Sequence, residues 1–247
     1  MVAVRAGLSA SLAALVVLLA VLAAAPGIGL VGWAAGLTCG VVLSGAVARS
    51  ASARGVGAFG PADLVTLFRA SLGCGAAALV ADSFVRDAAV WTLVPLAVIA
   101  LVLDAVDGRV ARGTGTVSGF GARLDGEADA FLMLVLSVYV ARTTGVWVLA
   151  IGVVRYLFAV AGWVVPWMRG PLPRRYWRKV VTATAGIALT FAAADVAAPA
   201  ATYAALAVVL VLLAESFGRD VWWLWRHRTG ANAEGSQQTS PLRLPAA

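Results

Sequence analysis

The stretch DAVDGRVARGTGTVSGFGARLDGEADAF, Asp104 to Phe131, decides how the rest of the chain is read. It gathers five of the twelve acidic residues into a sequence that is otherwise strongly apolar. If residues 88–112 form one helix, Asp104, Asp107, Gly108, Ala111 and Arg112 recur at steps of three and four and share one face. If residues 119–141 form the next, Gly121, Asp125 and Asp129 recur at steps of four and share another. The turn between them, GTGTVS from Gly113, is short and rich in small polar residues, which makes the two helices antiparallel neighbours. Two carboxylates from each helix then face each other at one end of a helical hairpin. The fifth acid, Glu127, stands about 200° around the helix from Asp125 and falls off that face, so it is expected to be replaceable.

Outward from this hairpin the chain is membrane material. Of its 247 residues, 62% are hydrophobic and 13% charged, with a mean hydropathy of +0.92, well outside ordinary soluble composition. Apolar runs at Leu8–Ala25 and Ile28–Val47 are each long enough to cross a hydrocarbon core, which takes roughly 20 helical residues. Further runs lie near Leu64–Ala81, Ala88–Leu103, Ala130–Ala141, Val146–Met168, Val180–Ala194 and Ala200–Leu213. Ala130–Ala141 becomes a span only if its helix starts inside the acidic stretch. The expected fold is an all-α integral membrane protein with about eight spans, a six-helix core carrying an extra two-helix N-terminal hairpin.

The first run is longer than a signal-peptide core and a second follows Pro26-Gly27, so both read as retained helices. The organisation read from these runs is a transmembrane hairpin over residues 1–48, a connection over 49–60, a core over 61–225 and a disordered tail over 226–247. The tail holds the only histidine, His227, with no catalytic partner in view. Just before it, Trp222, Trp223 and Trp225 read as an interfacial aromatic belt. Cys39 and Cys74 sit singly within apolar spans and read as small buried hydrophobes, neither a disulfide nor a zinc site.

The net charge of +7 says more about orientation than about partners, and no nucleic acid is expected. With eight spans, Arg49, Arg54, Arg109, Arg112, Arg169, Arg174, Arg175, Arg178, Lys179, Arg226 and Arg228 all fall on one side. The other side carries Arg86 and Arg142 with Asp82, Asp87 and Asp195. By the positive-inside rule, both termini and the acidic end face the cytoplasm, in a multi-pass protein of the cell membrane.

Four ionised carboxylates at a membrane boundary repel one another and lose hydration, so something must neutralise them. Two divalent cations balance four negative charges, and all-oxygen ligation suits Mg²⁺ or Mn²⁺. Paired ions of this kind clamp an in-line displacement at phosphorus. Gly108, Ala111 and Gly121 leave room on the same faces for a bulky group, and Arg112 offers a bidentate phosphate contact. Polar residues and small-xxx-small spacing can also serve helix packing alone. Four Asp with Gly and Arg on matching faces favour a site.

The run Asp104-x2-Asp107-Gly108-x2-Ala111-Arg112-x8-Gly121-x3-Asp125-x3-Asp129 resembles the full signature of the CDP-alcohol phosphotransferases, integral membrane enzymes of phospholipid synthesis. DLVTLFR, Asp63 to Arg69, is similar to the N-x-x-T-x-x-R opening of that family's first core helix, with Asp63 where Asn is usual. The resemblance covers about Pro61 to Leu224. It implies that Asp104, Asp107, Asp125 and Asp129 hold a metal pair, with Asp129 also the general base on an acceptor hydroxyl. It implies that Thr66, Gly108, Ala111, Arg112, Ser118 and Gly121 surround the cytidine diphosphate part of CDP-diacylglycerol, that CMP is released, and that the protein is a homodimer.

Arg155 lies mid-run in an apolar span, where a charge is expensive and usually functional. Arg155 and Lys179 are the candidate acceptor contacts, and they favour a phosphorylated alcohol such as glycerol 3-phosphate or an inositol phosphate. Two other classes use acidic residues in membrane helices. A Mg²⁺-dependent prenyltransferase resembles two separated Asp-rich motifs, whereas one compact hairpin is present here. A cation transporter places its acids near mid-membrane between inverted repeats, which this chain does not display.

Overall fold

A computed structural model describes residues 2–25, 27–86, 90–113, 118–170, 172 and 176–228; the side chains of Val2, Val90, Asp107, Val110, Ala111, Arg112, Arg169 and Tyr176 lie outside the described part. Within it the chain is all helix and turn, with no strand among the described residues. The helices are α1 (Val2–Ala24), α2 (Leu30–Ala53), α3 (Pro61–Asp82), α4 (Val90–Gly113), α5 (Gly119–Thr144), α6 (Leu149–Val164), α7 (Tyr176–Ala194) and α8 (Pro199–Arg226). Short 3₁₀ turns at Val146–Val148 and Pro166–Arg169 flank α6. The all-α membrane architecture expected from the sequence is the one observed. Five helices, α1, α2, α3, the one through α6 and α8, are long and apolar enough to cross a membrane, and α4 holds a shorter apolar helix, Trp91–Val106.

α3 is the central helix, with 16 of its 22 residues buried, and it packs on α1, α2, α4 and α5. Its run Gly73-Cys74-Gly75-Ala76-Ala77-Ala78 lets those neighbours approach closely, as small residues do between membrane helices. A β-carbon on Gly75 would stand 2.6 Å from a methyl of Leu18, so α1 lies directly against it. α2 meets α3 through Gly32 and Gly36, one turn apart, where added β-carbons would lie 3.0 Å from the Ala78 carbonyl and 3.1 Å from the Ala78 β-carbon. The N-terminal hairpin is thus a packed part of the bundle. Ser11 and Ser71 hydroxyls, 3.0 Å apart, join α1 to α3.

The ends of the helices are set by local chemistry. Pro61 opens α3 at a position that needs no N–H, and the Asp63 carboxylate accepts from the Gly60 N–H at 2.9 Å. Ser118 caps α5, its hydroxyl accepting from the Gly121 N–H at 2.8 Å. α2 has no cap of its own. Instead Asp82, at the far end of α3, accepts from the N–H groups of Gly29 (3.0 Å) and Gly32 (3.4 Å), placing a carboxylate on the positive end of α2. Arg86 donates to the Gly27 carbonyl at 2.9 Å and closes the same corner, where Gly27 takes the left-handed φ of 79° that the turn requires.

The outer surface is apolar, with Val17, Val42, Trp91, Leu157, Trp163, Phe191 and Val208 all exposed. In water such a surface would aggregate; in hydrocarbon it is the expected lipid face. The tryptophans near the end of α8 gather arginines, with Arg226 over the Trp222 ring and Arg228 over Trp225. His227 stacks on Trp223 and takes no part in a polar cluster. Cys39 and Cys74 are free thiols, and both pack in the apolar core.

Candidate active site

Three helices deliver one polar cluster to the end of the bundle where α3 and α5 begin and α4 ends. Asp104 comes from the last turns of α4, and Asp125 and Asp129 from successive turns of α5. Oxygen atoms of these three carboxylates lie within 4.8 Å of one another. Asp107 follows Asp104 by one turn in α4, but its side chain lies outside the described residues.

Beneath the carboxylates stands Arg69 of α3. Its guanidinium donates to Asp104, to Asp125 at 2.6 Å, to Asp129 at 2.9 Å and to the Asp125 carbonyl at 3.2 Å. The Arg69 side chain is 3% exposed, while Asp104, Asp125 and Asp129 are 38%, 34% and 25% exposed. Arg69 therefore forms a buried floor beneath three partly exposed carboxylates. Among the described residues three carboxylates converge on one buried guanidinium. Carboxylate oxygens gathered this closely could hold a cation. The donors are all carboxylate oxygen, which fits a hard divalent ion such as Mg²⁺ or Mn²⁺. The sequence reading gave Arg69 no role; the signal available was the one used for Arg155, a charge placed inside an apolar run.

The small and hydroxylated residues around the cluster have identifiable places. Thr66, one turn before Arg69 on α3, is buried with its hydroxyl donating to the Ala62 carbonyl at 3.1 Å. Gly121 lies where α5 meets Asp63: a β-carbon there would stand 2.6 Å from the Asp63 carboxylate and 3.1 Å from the Ser118 hydroxyl. Gly121 is therefore needed for α5 to close on α3, and Ser118 serves as the cap of that same turn. Gly108 is half-buried on α4. Ala111 and Arg112 continue the α4 backbone, and their side chains lie outside the described residues.

Arg155 of α6 reaches α5 between two of the carboxylate positions. It donates to Glu127 at 2.9 Å, and its guanidinium lies 3.0 Å from where a β-carbon of Gly126 would be. Its buried Nε has no hydrogen-bond partner among the described residues. Gly126 makes this crossing possible and was not singled out from sequence. Lys179 is exposed in the first turn of α7 and pairs with no described residue. Its neighbours are tied down: Arg178 meets the buried Asp220 of α8 at 3.4 Å, and the Trp177 indole donates to Glu215 at 3.0 Å.

Comparison with known proteins gives one result that bears on this geometry. A family model described as CDP-alcohol phosphatidyltransferase matches residues 59–214, more than half of the chain, and this range contains Thr66, Arg69 and every residue of the acidic cluster. Comparison with curated proteins gives no match, and comparison with solved structures gives none. Three carboxylates on two antiparallel helices, backed by a buried arginine on a third and lying inside the matched range, agree with that match: the chain belongs to the CDP-alcohol phosphatidyltransferase family.

Proposed function

We propose that the protein transfers a phosphatidyl group from CDP-diacylglycerol to a small alcohol, releasing CMP. Family membership supports phosphatidyl transfer from a CDP-alcohol to an acceptor. The observation that supports the finer reading is the convergence of Asp104, Asp125 and Asp129, whose carboxylate oxygens lie within 4.8 Å of one another above Arg69.

In this reading Asp104, Asp125 and Asp129, joined by Asp107, hold divalent cations, Mg²⁺ or Mn²⁺, most simply two of them. Bound there, such ions withdraw charge from the phosphate oxygens and stabilise the departing CMP. The chain's own residues do the rest. Asp129 accepts the proton of the acceptor hydroxyl, whose oxygen bonds to the lipid-side phosphorus as the phosphoanhydride bond breaks and its bridging oxygen leaves with CMP. Arg69 fixes the three carboxylates in place, which lowers the reorganisation needed during the reaction. Thr66, Gly108, Ala111, Arg112, Ser118 and Gly121 border the space for the cytidine diphosphate. Arg155 and Lys179 stand on the acceptor side, where positive charge selects a phosphorylated alcohol such as glycerol 3-phosphate or an inositol phosphate.

The same reading takes all eight helices as spans, with the hairpin, core and tail bounded as the sequence suggests. It places the acidic end at the cytoplasmic face of the cell membrane, because the basic loops gather there. It takes the working unit as a homodimer.

The direct test is CMP release by the purified protein given Mn²⁺ or Mg²⁺, CDP-diacylglycerol and a panel of alcohols. Release with one acceptor, abolished by chelator and in Asp129→Asn, is the expected result. Wild-type protein that releases no CMP with any acceptor, behaving like Asp129→Asn, overturns the proposal.

A further inference from the structure

A cavity of about 300 Å³ lies on the other side of α3 and α5 from the carboxylates, walled by the N-terminal hairpin. Its lining includes Leu15 of α1, Gly40 and Ser50 of α2, Cys74 of α3, and Phe120 and Arg123 of α5. On α3 the lining residues alternate around the helix with Thr66 and Arg69, and on α5 they alternate with Asp125 and Asp129. The two helices form a common wall, so the cavity is separate from the acidic cluster. Half of its walls come from α1 and α2, which lie outside the family match at residues 59–214.

Its shape and charge identify the occupant. Along α2 the lining runs from Ser50 to Gly40, ten residues or about 15 Å of helix, half of a hydrocarbon core about 30 Å thick. With α2 crossing the membrane as proposed above, it begins near the acidic end of the bundle and runs about the depth of one leaflet. The volume is also twice the roughly 150 Å³ of an apolar cavity known to take up benzene.

At the mouth Arg123 is exposed and makes no hydrogen bond or ion pair among the described residues. Glu127, four residues on and also lining the cavity, is paired with Arg155 at 2.9 Å. Arg54, one turn beyond the lining residue Ser50 on α2, donates to the Ser50 carbonyl at 3.1 Å. One guanidinium, that of Arg123, therefore lines a largely apolar shaft, and that of Arg54 lies one turn beyond its Ser50 wall.

We propose that this cavity is a lipid site, holding one acyl chain of an anionic phospholipid of the surrounding leaflet, with its phosphate on Arg123. The lipid bound here is distinct from the one that reacts. It fills the seam between hairpin and core and ties the hairpin to α3 and α5. The proposal does not depend on which alcohol the enzyme uses.

The test uses the full chain purified in detergent and measures lipid retention by native mass spectrometry, with phosphatidylglycerol and phosphatidylcholine of matched chains. Wild-type protein is expected to retain one phosphatidylglycerol through delipidation and to prefer it about tenfold over phosphatidylcholine. Arg123→Gln should lose that preference while still retaining one chain, and Ser44→Phe, which fills the shaft, should retain neither lipid. Ala70→Leu fills the shaft from α3 and replaces Ser44→Phe if the latter is not monodisperse. Val17→Phe, on the exposed face of α1, should behave as wild type. Equal retention by the filled variants and wild type, or no preference for the anionic lipid in wild type, overturns the proposal.

Discussion

Arg69 holds Asp125 at two points, the carboxylate at 2.6 Å and the main-chain carbonyl at 3.2 Å, so a buried guanidinium on α3 fixes both the side chain and the backbone of an α5 position. Removing it should destabilise the metal-free protein, because three carboxylates then share one site without the guanidinium that joins them. Arg69→Ala is expected to unfold at lower temperature in EDTA, and Mn²⁺ should raise its Tm by more than it raises that of wild type. Arg69→Lys should fall between, since an ammonium cannot span three acceptors in a fixed fork. Equal metal-induced shifts in wild type and Arg69→Ala would show that Arg69 does not compete with the ion for these carboxylates.

Asp104→Asn, Asp125→Asn and Asp129→Asn should each reduce CMP release by about 10²–10³, the range for removing one element of a preorganised charge-stabilising site. Glu127→Gln should stay within a few-fold of wild type, because its partner is Arg155. Binding of Mn²⁺, followed by its electron paramagnetic resonance signal, should weaken in the three Asp variants and not in Glu127→Gln. A Glu127→Gln protein as inactive as Asp125→Asn would mean that the catalytic face of α5 has been drawn wrongly.

Gly121 and Asp63 form one steric unit, since a β-carbon at position 121 would lie 2.6 Å from the Asp63 carboxylate. Gly121→Ala must push Asp63 off the Gly60 N–H and is expected to lower stability by about 1 kcal/mol, the usual loss of a helix cap. In an Asp63→Ala background the same change should cost clearly less, giving a coupling above about 0.5 kcal/mol in a double-mutant cycle. Additive effects in that cycle would rule the steric account out.

Asp82 is the cap that α2 lacks, supplied from α3. Asp82→Ala should lower stability by about 0.5–2 kcal/mol, while Asp82→Asn should keep much of the effect because an amide oxygen still accepts both hydrogen bonds. Thermal unfolding in one detergent is the measurement. Indistinguishable Tm values for wild type and Asp82→Ala would assign the capping of α2 elsewhere.

The all-α membrane fold was legible because apolar runs of membrane-spanning length are a one-dimensional signal. The shared faces of Asp104 on α4 and of Asp125 and Asp129 on α5 were legible because steps of three and four fix a helix face, but the faces meet because both helices pack on α3 and α7, not because the short turn packs α4 on α5. What stayed hidden depends on contacts between helices distant in sequence. Arg69 meets Asp104 across 35 residues and Asp129 across 60, and nothing local at Arg69 encodes either partner. Arg155 was conspicuous as a charge in an apolar run, yet its pairing with Glu127 follows only from how α6 crosses α5 at Gly126. The seating of α2 on α3 through Gly32 and Gly36 was equally unreadable, because glycines at a spacing of four are common in membrane helices whether or not they meet a partner.

The central place of α3 has a consequence for how the protein is made. Three charged side chains, Asp63, Arg69 and Asp82, lie within a helix that must leave water for the bilayer. During synthesis the partners of Asp82 and Ser71, on α2 and α1, already exist when α3 emerges, whereas the carboxylates that receive Arg69 are added 35 to 60 residues later. The hairpin is therefore available as a chaperone in cis, holding α3 until its own counter-ions arrive. Deleting residues 1–53 is expected to impair membrane insertion of α3 in a glycosylation-mapping assay, and unimpaired insertion would leave the hairpin with no part in biogenesis.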